Sequence, residues 1–332
     1  MKTTATEHVR DILTLAMEHA PGRRAVVVSD AGCELARILA EVYRECLPDA
    51  THVRFEDVTP EALLGTLGEL GAGDLVVLVQ SSSFRLEAFR IRVQLFKQGL
   101  KVIEHPHLAR MQESEYEAYL DALAYDPSYY RGVGARLKQR IDRASSAVLD
   151  SGGERLFYDS AFEPAKLNVG DYTGMLNVGG QFPIGEVFTE AIDLEQVHGR
   201  VRIFVFGDVD FCVNVPDKPI TLVIERGLVV AAEDSTPAFD RVLALIRAEE
   251  SVWLRELGFG MNRALTPERR VSDIGTYERM CGIHLSLGAK HGVFNKPQFK
   301  RRHTKFHVDV FAVTEAVSLD GETVFRDRAW CV

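Results

Sequence analysis

A chain of 332 residues with 46% hydrophobic content and 26% charged residues is too long for one ordinary core and reads as two globular domains. A formal charge of −9 argues against general nucleic-acid binding, which needs a basic face to meet phosphates. The five cysteines (Cys33, Cys46, Cys212, Cys281 and Cys331) lack Cys-x-x-Cys spacing and read as reduced thiols, not as a zinc ribbon or disulfide framework. The polar stretch Met1 to Arg10 holds no signal peptide, and no apolar run approaches the ~20 residues that span a bilayer. A cytoplasmic location away from membranes is therefore expected.

In chain order, residues 7–20 carry Val9, Ile12, Leu13 and Ala16 on one helical face, and Ala20-Pro21-Gly22 stops that helix. Ala25-Val26-Val27-Val28 reads as a strand buried on both faces, followed by a helix from about Cys33 to Cys46. Thr51 to Phe55 is a further strand. Thr59 caps a helix that has Pro60 in its first turn. Asp74 to Val79 is again a buried strand, residues 84–98 an Arg-studded helix ending at Gly99, and Leu100 to Glu104 a strand. This alternation predicts a mostly parallel sheet with helices on both faces. Ligands of such sheets favour the carboxyl ends of strands. Ser81-Ser82-Ser83 lies there, but it lacks a phosphate-loop glycine pattern and reads as a helix cap. His105-Pro106-His107 could pair on a metal, but its proline and loop position favour a turn.

A long helical segment, Arg131 to Leu149, is expected to join the domains, with Ser151-Gly152-Gly153 as linker. The expected division is an N-terminal α/β domain, 1–150, and a C-terminal metal-binding domain, 151–332. Beyond the linker, Val201 to Phe206, Ile220 to Glu225 and Leu228 to Ala232 read as strands, the last two joined by a turn at Arg226-Gly227. A helix runs from about Pro237 to Glu249. The C-terminal half is therefore expected to be α+β with much antiparallel sheet.

The chemistry gathers in that half. In Lys305-Phe306-His307-Val308-Asp309-Val310-Phe311, a strand would project His307 and Asp309 together and Phe306, Val308 and Val310 oppositely. An imidazole beside a carboxylate suits zinc, cobalt, manganese or iron. Three more glycine-flanked segments carry acids or a histidine: Gly179 to Thr189 with Glu186, Arg255 to Asn262 with Glu256, and Glu278 to Gly288 with His284. Bridging carboxylates with terminal imidazoles are what a two-metal hydrolase needs.

Taken together, these segments resemble the motifs of the thermophilic aminopeptidase family, the aminopeptidase T and aminopeptidase S type of metallopeptidase. That family carries Pro-x-Gly-Glu-Val-Phe-Thr, Glu-Leu-Gly-x-Gly-x-Asn, Glu-Arg/Lys-x-x-Gly-x-x-His and a final His-x-Asp, and all four occur here in order. The resemblance implies a metal-ligand set of Glu186, Glu256, His284, His307 and Asp309. It further implies one or two divalent ions and a homodimer acting on a small peptide or amide. Glu186 or Glu256 would assist proton transfer, and Glu278 matches a supporting acidic position.

The sequence also departs from the pattern. Where peptidase members often carry a catalytic tyrosine, seven residues after the motif histidine, this chain has His291, which could act as hydrogen-bond donor or proton shuttle. The segment from His291 to Lys305 is basic, and Arg301 and Arg302 are candidate contacts for an anionic substrate. The same superfamily resemblance includes an iron enzyme, the 2,5-dihydroxypyridine dioxygenase type, whose two-His, one-Asp site falls on Glu256, His307 and Asp309. A mononuclear Fe(II) oxygenase is therefore the alternative, and a homologue without catalysis the third class. Glu186 and His284, which the dioxygenase type lacks, favour the hydrolase.

Overall fold

A computed structural model describes residues 2–86, 89–288, 294 and 306–332. The chain forms two compact units, each assembled from separated stretches. The first comprises Met1–Pro127, Gly170–Ile184 and Val271–Thr276, and the second Ser128–Val169, Gly185–Arg270 and Tyr277–Val332.

The first unit is built on a five-stranded parallel sheet. Its order is Val178–Gln181, Lys101–His105, Leu75–Val79, Ala25–Ser29, Thr51–Arg54. Ala25–Ser29 and Leu75–Val79 are buried at every position, which explains their unbroken apolar runs. Helix Glu34–Cys46 buries the stripe Leu35, Ala36, Leu39, Val42 and Tyr43. Helix Pro60–Gly68 starts as its sequence predicts, with the Thr59 hydroxyl accepting from the Ala62 N–H at 3.3 Å.

Two expectations change in this unit. The helix read over 84–98 is confined to Ile91–Lys97, because Arg85–Leu86 and Phe89–Arg90 pair as short antiparallel strands. Ser81 then caps no helix. Its backbone N–H donates to Asp30 at 2.8 Å and its hydroxyl donates to the same carboxylate, tying the ends of two neighbouring strands. His105-Pro106-His107 is a turn, with His107 at φ 58°. Both ring nitrogens of the fully buried His105 are taken, by Tyr43 at 2.7 Å and Tyr119 at 2.8 Å, which leaves no lone pair for an ion.

The second unit is a large antiparallel sheet. Its middle runs Ala147–Ser151, Glu154–Tyr158, Val197–Gly207, His307–Ala312, Gly282–Gly288, Leu254–Gly260, Glu186–Glu190. One face of the last four strands is core: Val187, Leu257, Phe259, Ile283, Leu285, Val308 and Val310 are at most 2% exposed. The helix expected over 131–149 ends at Ile141, and Ala147–Ser151 is a strand. Ser151-Gly152-Gly153 is accordingly a hairpin turn between two paired strands, not a linker, and both glycines adopt positive φ. The Arg226-Gly227 turn joins Ile220–Glu225 to Leu228–Glu233 as its sequence predicts. No helix among the described residues is long and apolar enough to cross a membrane.

Candidate metal centre

The ligand strands lie side by side in the order Glu186, Glu256, His284, Asp309, all antiparallel. Register puts Phe188 opposite Gly258, Gly258 opposite His284, and His284 opposite Phe311. Ser286 faces Asp309, and Gly288 faces His307. These side chains share the face away from the core, since cross-strand partners point the same way. Strand Leu254–Gly260 carries an extra residue between Leu254 and Leu257, a bulge that re-aims Arg255 and Glu256. The Glu256 N–H then donates to the Ser286 hydroxyl at 3.1 Å.

Glycine makes the convergence possible. A Cβ on Gly258 would lie 2.0 Å from both Cε1 and Nε2 of His284, so the imidazole lies directly over the Gly258 backbone. A Cβ on Gly260 would meet the Met280 carbonyl oxygen at 1.9 Å. The two glycines of the Glu-Leu-Gly-Phe-Gly stretch are thus spaces, one for the His284 ring and one for the backbone that precedes it.

The result is a group of one ligand atom each from Glu186, Glu256 and His284, all within 4.8 Å of one another. All three residues are buried, at 5%, 5% and 1% exposure. His284 Nε2 is 3.1 Å from Glu186 Oε1 and 3.5 Å from Glu256 Oε1, yet it forms no properly directed hydrogen bond with either. Glu256 Oε2 and His284 Nδ1 are likewise buried without a hydrogen-bond partner. Asp309 and the half-buried His307 repeat the pattern, with Nε2 3.1 Å from Oδ1 but Oδ1 without a hydrogen bond. Buried polar atoms that crowd together yet fail to bond each other are costly as they stand. A divalent cation could take one donor atom from each of Glu186, Glu256 and His284, and the carboxylate and imidazole donors suit zinc, cobalt, manganese or iron.

The electrostatics tie the pair to the group. Burial opposes charge on the Glu186 carboxyl, but Arg279 and His284 outweigh it and hold the carboxyl below its usual range, while Asp309 pushes back. Asp309 is also held low, burial being outweighed by His307, His284 and Arg279. For His284 burial favours the neutral ring, yet Glu186 and Glu256 raise its pKa to about 10. An excess of carboxylate charge therefore surrounds the imidazole, the condition a bound cation relieves.

Sequence reasoning missed two buried arginines. Arg279 Nη1 sits 3.3 Å from Glu186 Oε2 and also pairs with Glu278, the acid expected in a supporting place. Arg255, next to Glu256, donates from Nε to the Gly288 carbonyl at 3.1 Å and lies 3.6 Å from Glu190. Glu190 shares the face of Glu186 at an even spacing, a signal the strand pattern contained. His291, Arg301 and Arg302 lie outside the described residues.

No protein-family model and no curated protein matches the chain. Among solved structures the fold is similar to that of wild-type AmpT from Thermus thermophilus, with a TM-score of 0.61 over 100% of both chains and 14% identity. At that identity the likeness is one of fold.

Proposed function

We propose that this protein is a metal-dependent hydrolase that cleaves a peptide or amide bond in the manner of an aminopeptidase. The observation that carries the reading is the buried Glu186, Glu256 and His284 group with its orphaned ligand atoms. Likeness to AmpT in fold, together with motifs that resemble the aminopeptidase T type, supports it. Glu186, Glu256, His284, His307 and Asp309 would hold one or two ions, with zinc, cobalt or manganese suited to the donors. A divalent ion, when bound, acidifies water and polarises a carbonyl.

The chain's own groups then divide the work. Glu186 has both oxygens engaged, Oε1 toward His284 and Oε2 toward Arg279, which suits a fixed ligand. Glu256 keeps Oε2 free of hydrogen bonds, so it is the better acceptor for a proton taken from water and returned to the leaving amine. The substrate is proposed to be a small peptide or amide, and the protein a cytoplasmic homodimer.

The test is metal analysis of protein purified without oxygen, combined with hydrolysis of aminoacyl amides. Bound zinc, cobalt or manganese and a loss of about 100-fold or more in kcat for Glu186→Gln are expected. One iron per chain and no hydrolysis of aminoacyl amides, with iron binding retained in Glu186→Gln, would replace the hydrolase by an oxygenase using Glu256, His307 and Asp309.

A further inference from the structure

Phe188 stands on the ligand face between Glu186 and Glu190. Those two acids are 5% and 1% exposed, and Val187 and Thr189 on the other face are fully buried, yet Phe188 keeps partial exposure. It is the open position of an otherwise closed strand. Its cross-strand neighbour on the side of the ligands is Gly258, which contributes no side chain, and the His284 ring leans over that glycine, while on its other side it faces the exposed Lys166. Phe188 is therefore the first side chain met on leaving the metal ligands in that direction. At the other end of the same row Phe311 is fully buried, with its ring centroid 5.9 Å from that of His284 and 4.7 Å from that of Tyr277. One side of the imidazole is thus closed by packing and the other borders a partly open phenyl ring. Phe294, 3% exposed, meets Phe188 edge-on at 6.2 Å and 77°, so the phenyl group is backed by a second ring.

Resting on the metal-centre reading, we propose that Phe188, backed by Phe294, forms the wall of an apolar subsite beside the ligands. It takes the uncharged aromatic or branched aliphatic side chain of the substrate residue next to the scissile bond. Aromatic walls favour such groups because the area they remove from water is large and the ring edges pack at defined angles.

The test uses zinc-loaded protein and hydroxamates of phenylalanine, leucine, alanine and glutamate, with affinities measured by calorimetry. A hydroxamate chelates the ion whatever reaction the protein catalyses, so the assay does not depend on hydrolysis. The phenylalanine and leucine probes are expected to bind about tenfold or more tightly than the alanine probe. In Phe188→Ala the ratio of phenylalanine to alanine affinity should collapse toward one at unchanged zinc stoichiometry, and Phe294→Ala should lower it in part. Phe188→Leu, which keeps apolar bulk, should lower the preference for phenylalanine over leucine, and gives a readout if the alanine variant does not fold. Equal affinity for all four probes in the parent protein would overturn the subsite while leaving the metal centre standing. So would an unchanged ratio in both Phe188 variants, which would make the ring a packing residue. Binding of no hydroxamate, with no zinc retained, would overturn the metal-centre reading and the subsite with it.

Discussion

At the scale of single residues, the candidate site depends as much on atoms that are missing as on ligands that are present. Gly258 is the sharpest case. Its glycine is visible in the sequence as part of a motif, but its purpose is not, because the ring that occupies its space comes from a residue 26 positions later in the chain, His284. The shared face of the candidate ligands was legible as spacing: His307 and Asp309 alternate on a strand, and register places them on the face of His284 and Ser286. Arg279 was not legible, because an arginine beside a glutamate ordinarily reads as a solvated pair, and only burial reveals that it faces Glu186. Gly258→Ala is expected to separate folding from metal binding. The new methyl group must displace the imidazole, which is the far end of its side chain and can swing away, while the strand hydrogen bonds remain. Zinc affinity should fall at least tenfold, read by competition with a chelator, with an unchanged circular dichroism spectrum. Retention of full affinity would show that the ring does not need that place.

At the scale of elements, alternation and turn chemistry carried most of the fold. The two doubly buried strands of the parallel sheet, the Thr59 cap and the Arg226-Gly227 hairpin all follow from local sequence. The failures share one cause. Leu137, Ile141, Ala144, Val148 and Leu149 continue a helix-like spacing past Ile141, so the strand Ala147–Ser151 was hidden until its partners Glu154–Tyr158 and Ala316–Leu319 were in place. Tertiary pairing overrode the local pattern. The bulge in Leu254–Gly260 is equally silent in the sequence, and Arg255 secures it by holding the Gly288 carbonyl on the neighbouring strand and facing the buried Glu190. Removing one partner of a buried ion pair is far costlier than replacing both. Arg255→Ala should therefore cost about 3 kcal/mol or more of stability. Trp253, whose ring centroid is 5.8 Å from the Arg255 guanidinium, reports the change through its fluorescence in a urea titration. Glu190→Leu combined with Arg255→Met should recover part of the loss. A single variant as stable as the parent would mean the pair contributes nothing.

At the scale of the whole molecule, the two units are chemically unlike, and pH should separate them. The first unit encloses His105 between Tyr43 and Tyr119, and burial lowers its pKa to about 3. An unfolded histidine titrates near ~6.5, so below that value the unfolded chain binds a proton that the folded unit refuses. The stability contributed by neutral burial is complete above pH ~6.5 and is lost as pH falls toward 3, at ~1.4 kcal/mol per unit, or about 2 kcal/mol by pH 5. His19, lowered by burial and by Lys101, acts in the same direction. Burial opposes charge on Asp74, but the Gly71 and Arg24 N–H groups and the Arg24 guanidinium outweigh it and hold the carboxyl low. Its share is therefore lost only below the ordinary carboxylate range. Both tryptophans, Trp253 and Trp330, belong to the second unit, so their fluorescence follows that unit alone, whereas far-ultraviolet circular dichroism follows both. Between pH 7 and pH 5 the circular dichroism melt is expected to move down by several degrees, ahead of the tryptophan melt. His105→Gln keeps a polar group for the two tyrosines but cannot be protonated. It should start from a lower melting temperature at pH 7 and show a much shallower fall toward pH 5. An equally steep fall in the variant would place the acid-sensitive group elsewhere in the unit.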